Sequence, residues 1–216
     1  MVSLKIIYED NHLLVIEKPV NIPVQADSSH DDDLLSMIKT LLKKKYDKPG
    51  NVFVGLVHRL DRPVGGVMVF AKTSKAAQRL SEQIRLQAME KTYQCITDGI
   101  AKQGLYVDYL LKNTSTNTVT IHSKGKKAEL EVLAVTVKNN YSHCILSLKT
   151  GRSHQIRVQM ASRNTPIWGD ARYNKTSKPG QQIALWATSL QFAHPISKEL
   201  LTFYSDPPQQ FPWNQF

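Results

Sequence analysis

Two short stretches concentrate the residue types that can do chemistry. In His58-Arg59-Leu60-Asp61-Arg62-Pro63 one carboxylate stands between two guanidinium groups, directly after one apolar run and directly before another. A carboxylate at a strand end opens onto a cleft, and neighbouring positive charge favours its ionised form, the form that attacks carbon. The same pattern also describes a structural ion pair pinning a loop, and the residues alone leave both readings open. Farther along, Arg152-Ser153-His154-Gln155-Ile156-Arg157 intersperses arginine with Ser, His and Gln instead of clustering it as a solvated run. Residues 149–163 hold Lys149, Arg152, Arg157 and Arg163 without an acid, and Lys124, Lys126 and Lys127 form a second basic cluster. All are candidates for phosphate contact, and the lysine cluster reads equally well as a solvated loop.

The charge of the whole chain points the same way. Its 216 residues carry 28 Lys plus Arg against 18 Asp plus Glu, a formal net charge of +10, which suits a polyanionic partner. A hydrophobic share of 41% with 21% charged residues is that of a globular domain, not a disordered or collagenous chain. Other chemistries lack their signatures. None of the seven histidines pairs with another at i, i+4, and His-Glu-x-x-His, Cys-x-x-Cys and Gly-x-Ser-x-Gly are absent. Gly65-Gly66 leads into Val67-Met68, so no P-loop forms, and the His-Arg-Leu-Asp run has neither the downstream Asn nor the Asp-Phe-Gly of a kinase. Cys95 and Cys144 are far apart in sequence and build no disulfide framework, which fits a reducing compartment. No apolar run approaches the roughly 20 residues of a membrane span. Residues 1–20 include Lys5, Glu9, Asp10, Glu17 and Lys18, unlike a secretory signal. The expected location is the cytoplasm.

The elements that must position these residues follow from periodicity. Residues 6–19 read as a hairpin around Asp10-Asn11, closed by Pro19. Leu34, Leu35, Ile38, Leu41 and Leu42 follow three acids and precede three lysines, the charge order of a helix. Strands are expected at 52–57 and 66–72, flanking the His58–Pro63 cluster, and a helix capped by Ser74 follows. Further strands are expected at 92–97, 118–122, 130–138 and 141–148, the last two joined by an Asn139-Asn140 turn. A short helix over 152–161 starts near Ser153, and strands close the chain at 183–192 and 200–204. Strands outnumber helices and many are hairpin-linked, which predicts an α+β fold with a mixed, largely antiparallel sheet flanked by helices and loops.

With this order in place, the chain resembles the RluA-type RNA pseudouridine synthases along nearly its whole length. His58-Arg59-Leu60-Asp61 is similar to that family's first motif, and Lys91-Thr92-Tyr93 with Asp98-Gly99 to its second. Gly151 through Arg157 is similar to the third, followed by Pro166-Ile167-Trp168-Gly169-Asp170-Ala171-Arg172-Tyr173. The resemblance implies a pseudouridine-synthase-like fold with a central basic cleft, a single catalytic domain over residues 1–216, and no separate N-terminal RNA-binding domain. It implies isomerisation of uridine to pseudouridine in ribosomal or transfer RNA, without metal or organic cofactor. Asp61 would be the nucleophile, at ribose C1′ or toward a glycal. Tyr93 would stack on the base and assist the late loss of the C5 proton, Arg157 would pair with Asp61, and Ile156 would pack under the uracil. Arg59 would fill the place of the flipped nucleotide, with His58 beside it in the substrate-binding set. Arg62 and Arg152 would hold flanking phosphates.

The expected partner is an RNA stem-loop, with no membrane, no obligatory protein partner and a monomeric enzyme. Two departures stand out: Pro63-Val64-Gly65-Gly66 replaces the family's usual Asp-Thr-Ser-Gly, and Leu185-Trp186-Ala187 its usual Leu-His-Ala. A basic RNA-binding or chaperone module without catalysis is the competing reading, and a nucleoside glycosidase, which would release free base, is a third.

Overall fold

The computed structural model describes residues 4–27, 29–178 and 180–216. Its elements begin with β1 (Lys5–Glu9), β2 (Leu13–Lys18), α1 (Leu34–Lys45), β3 (Gly55–Leu56), β4 (Gly65–Ala71) and α2 (Ser74–Arg85). Then come β5 (Glu90–Asp98), β6 (Gly104–Asn113), β7 (Thr118–Ile121), β8 (Lys126–Lys138) and β9 (Tyr141–Leu148). The chain ends with α3 (Gln155–Ala161), β10 (Leu185–Ala193), β11 (Leu200–Tyr204) and a single 3-10 turn, Trp213–Gln215. This is the expected α+β fold, and the pairs β1–β2, β2–β4, β3–β4, β5–β9, β8–β9, β6–β8, β6–β7 and β10–β11 are antiparallel. The chain divides into two compact units, Met1–Met89 with Ser189–Ser205, and Glu90–Thr188 with Asp206–Phe216.

In the first unit β1 pairs with β2, β2 with β4, β3 with β4, and β10 with β11. Leu13, Val15, Val67 and Val69 alternate along β2 and β4 toward a core shared with Ala76 and Leu80 of α2 and with Leu190 and Phe192 of β10. Period-2 alternation on strands and 3-4 spacing on the helix put these apolar faces together. Asp33 caps α1 by accepting from the Ser36 amide, and three lysines close its last turn. The cap of α2 is Thr73, accepting from the Ala76 amide, one residue before the expected Ser74. The strand expected over 52–57 shrinks to Gly55–Leu56, because only those residues find partners, Ala71 and Phe70, on β4.

The second unit orders its strands β5-β9-β8-β6-β7. Asn139 and Asn140, with φ of 49° and 62°, make the turn between β8 and β9 in the left-handed region, which asparagine tolerates better than most residues with a Cβ. Val158 of α3 packs against Leu110, Val119 and Ala128 of β6, β7 and β8. Cys95 and Cys144, distant in sequence, are directly opposed across β5 and β9, both buried as free thiols.

Candidate active site

The loop between β3 and β4 carries Asp61, and the first unit ties it down from several sides. His58 Nε2 accepts the Val69 amide of β4 at 3.1 Å, and Leu60 is buried. The Asp61 carbonyl accepts the Val64 amide at 2.9 Å, closing a turn around Arg62-Pro63. From the end of β2, Lys18 reaches the same turn. It is 0% exposed, and its Nζ donates to the carbonyls of Pro19 at 2.9 Å, Arg62 at 3.0 Å and Val64 at 2.9 Å. An ammonium has three N–H donors, and here each has an acceptor. Burial pulls the Lys18 pKa down to about 7, the charge of Asp61 opposes that shift and the charge of Arg62 adds to it. At the start of β4, Gly66 faces Lys18 in register with φ of 119°, a backbone conformation that suits glycine. Asp61 itself is half-buried on this anchored turn.

The two arginines beside it are exposed and hold the preceding segment. Arg59 Nη1 donates to Gln25 Oε1 at 3.1 Å. Arg62 donates through Nε to the Asn21 carbonyl at 3.2 Å and through Nη1 to Ser29 Oγ at 3.1 Å, and it pairs with the Asp31 carboxylate. A phosphate reaching Arg62 therefore has to compete with Asp31.

The second unit carries the other expected residues. Tyr93 is buried on β5, opposite Leu146 of β9. Ile156 and Arg157 are buried in the first turn of α3. Gln155 fixes that turn. Its Oε1 accepts from Thr150 Oγ1 at 2.8 Å and the Arg152 amide at 3.0 Å, while Nε2 donates to the Glu129 carbonyl at 3.0 Å. No side chain caps α3; His154 enters it in the left-handed region, φ 50°, one residue after Ser153, near which the helix was expected to start. Arg157 donates through Nε and Nη2 to the two oxygens of fully buried Asp170 at 2.8 and 2.7 Å. Arg152 is exposed, with Nε on the Lys127 carbonyl at 2.9 Å. Asp98 of the second motif accepts from Thr176 Oγ1 at 3.1 Å and from the Asn174 amide group.

The structure thus gathers His58, Arg59, Asp61 and Arg62 on one turn of the first unit. It gathers Ile156 and Arg157 on one helix of the second, with Arg152 at its approach and Tyr93 on β5. Lys18 and Asp170 were not anticipated as functional. Lys18 had a signal, since it closes a strand whose first four residues are core residues, where a lysine must find acceptors. Among the described residues no cluster of three or more His, Cys, Asp or Glu side chains could hold a metal ion, and no helix is long and apolar enough to cross a membrane.

The profile of the RNA pseudouridylate synthase family matches residues 12–162, a span that contains both the Asp61 turn and α3. The chain belongs to this family. As a member it is an RNA pseudouridine synthase, an isomerase that acts on RNA. Among curated relatives, the ribosomal large subunit pseudouridine synthase D of Haemophilus influenzae is 31% identical over 97% of this chain and 69% of its own length. An uncharacterised RNA pseudouridine synthase of Bacillus subtilis, YhcT, is 35% identical over 92% of this chain and 67% of its own. The human RNA pseudouridylate synthase domain containing 4 shares the fold, with a TM-score of 0.80 at 20% identity over 95% of this chain and 89% of that one. In this pseudouridine synthase Pro63-Val64-Gly65-Gly66 follows Arg62, and the Asp61 turn is secured by the Lys18 amine and backbone groups. Trp186, where the family usually has histidine, is buried; nothing in the structure explains that exchange.

Proposed function

We propose that Asp61 is the nucleophile of this synthase and that ribosomal RNA is its substrate. The observation that carries the assignment is the Asp61 turn itself, a half-buried carboxylate on a loop immobilised by His58 and Lys18, inside the span that matches the family. The reaction breaks the N1–C1′ bond of uridine and forms C5–C1′; N1 gains a proton and C5 loses one. In one route the Asp61 carboxylate attacks C1′ and uracil departs through N1. C5 of the turned base then displaces the carboxylate. In the other, Asp61 assists formation of a glycal. Either route needs a detached uracil held away from water by apolar and stacking surfaces. Ile156 and Tyr93 supply such surfaces, Tyr93 assisting the late loss of the C5 proton, and Arg157 balances the Asp61 charge.

A uridine within a stem must leave its stack first, and Arg59, exposed and planar, fills the vacated place. His58 orients the turn that bears both residues. Arg152 contacts a flanking phosphate, and Arg62 does so only by leaving Asp31. Ribosomal RNA is favoured over transfer RNA because relatives at about 30% identity are named for the ribosomal large subunit. Within it, a compact stem-loop suits a chain read as one monomeric catalytic domain working in the cytoplasm.

The test is Asp61→Asn. Pseudouridine formation on RNA from cells lacking the protein is expected to vanish while RNA affinity stays within a few fold. Unchanged modification would reject the nucleophile assignment, and mapping pseudouridines in cells with and without the protein would identify the RNA.

A further inference from the structure

Arg157 is gripped in a way the reaction alone does not require. The Asp170 carboxylate takes Nε and Nη2, a side-on, bidentate pair that fixes the plane of the guanidinium as well as its position. Asp170 is itself locked: Oδ1 also accepts the amides of Arg172 at 3.0 Å and Tyr173 at 3.3 Å. The preceding residue, Gly169, has φ of 73°, and a Cβ there would lie 2.5 Å from the Gln182 carbonyl oxygen, so the backbone can deliver Asp170 to this spot only with glycine before it. Arg157 Cζ lies over the Tyr173 ring, 5.2 Å from its centroid. The hydroxyl of that tyrosine accepts the Val119 amide at 2.9 Å and is bound to His154 Nδ1 at 2.8 Å, so the ring cannot swing away without breaking two hydrogen bonds.

We propose that Asp170 and Tyr173 are positioning residues for the reaction. They hold Arg157 by its Nε–Nη2 edge and against the Tyr173 ring, so that the end-on edge carrying Nη1 is the one presented to the reacting groups. This rests on the reading of Arg157 as part of the reacting site. A lysine could supply the same charge, but a point charge on a flexible stem has no plane to fix. An ion pair serving only to fill the core would have no use for a ring that is itself fixed beside the guanidinium by two hydrogen bonds. Orientation of a charge that must act in the transition state does, since a misplaced group forfeits most of its effect.

The experiment compares wild type, Asp170→Asn, Tyr173→Leu, Arg157→Lys and the double variant Asp170→Asn/Arg157→Lys, using total RNA from cells lacking the protein. Single-turnover pseudouridine formation is measured against RNA concentration, with thermal unfolding as the control for folding. For Asp170→Asn the maximal rate is expected to fall at least 100-fold, with the half-saturating RNA concentration within threefold of wild type. In the Arg157→Lys background the same substitution is expected to change the rate less than threefold, because its effect passes through the guanidinium. Tyr173→Leu leaves the ion pair in place and is expected to lose about tenfold in rate. A folded Asp170→Asn or Tyr173→Leu protein at wild-type rate overturns the proposal. So does an undiminished effect of Asp170→Asn in the Arg157→Lys background, the result of a purely structural role. If Asp170→Asn does not fold, Tyr173→Leu decides alone. A proposal that fails with the wild type active fails by itself; a wild type that makes no pseudouridine overturns the functional reading and this inference with it.

Discussion

Lys18 shows how one side chain joins stability to the site. Its amine sits beneath the Asp61 turn, holding the Arg62 and Val64 carbonyls from the end of β2. Lys18→Met leaves those carbonyls and that of Pro19 without donors, and the expected loss of stability is about 2 kcal/mol or more, less whatever is recovered by no longer burying a charge. The pH dependence has a definite sign. In the unfolded chain the amine keeps its proton to about pH 10.4, whereas in the folded protein it does so only to about 7. Between those limits the unfolded chain binds more protons, so stability rises with pH there, and this contribution is lost as pH falls to about 7. Urea unfolding of wild type and Lys18→Met across this interval is expected to show the wild type gaining on the variant as pH increases. A difference that stays flat would mean that the carbonyl hydrogen bonds keep the ammonium charged throughout.

At the scale of elements, Glu9 at the end of β1 binds the end of α1 and the residue after β4 together. Its carboxylate accepts from Lys45 and Lys72, both at 2.7 Å, and from Tyr46 at 2.6 Å. Burial disfavours its charge, and the Lys45, Lys72 and Tyr46 hydrogen bonds more than reverse that, bringing the pKa to about 2. A carboxylate with a depressed pKa stabilises the fold above its unfolded value, near 4.3, and the gain disappears as pH falls through the folded value. Glu9→Gln is expected to lose about 1.5–3 kcal/mol at neutral pH, as for hydrogen bonds to charged groups. The gap to wild type should close on acidification toward about pH 2; a constant gap in acid unfolding would contradict the assignment.

None of these long-range ties was legible beforehand, although the elements they join were. The β1–β2 hairpin, α1 and the Asn139-Asn140 turn could be read because charge order, spacing and turn chemistry act within a few residues. β6 could not, for a physical reason. Leu105, Val107, Tyr109 and Leu111 are all exposed on one of its faces while Tyr106 and Leu110 are buried on the other. With apolar residues on both faces, the alternation that marks a half-buried strand disappears.

For the molecule as a whole, the net charge of +10 predicts RNA binding that weakens steeply with salt, but it does not say which cations meet phosphate. In the sequence, Arg62 and Arg152 were equivalent candidates; the structure separates them, because partners 31 and more residues away decide which charge is already neutralised. Arg62 is paired with Asp31 and hydrogen-bonded to Asn21 and Ser29, so bringing a phosphate to it replaces one anion by another and releases little. Arg152, exposed at the approach to α3, spends only its Nε on a neutral carbonyl, that of Lys127, and its charge has no acidic partner among the described residues. Each phosphate neutralised contributes about 0.7–0.9 to the slope of log affinity against log salt. Arg152→Ala is therefore expected to weaken binding and lower that slope by about one contact's worth, while Arg62→Ala should leave the slope nearly unchanged. Affinity titrations at several salt concentrations measure both. The opposite ranking would mean that Asp31 gives way to the RNA, making the 21–31 segment a part of the binding surface that rearranges when substrate arrives.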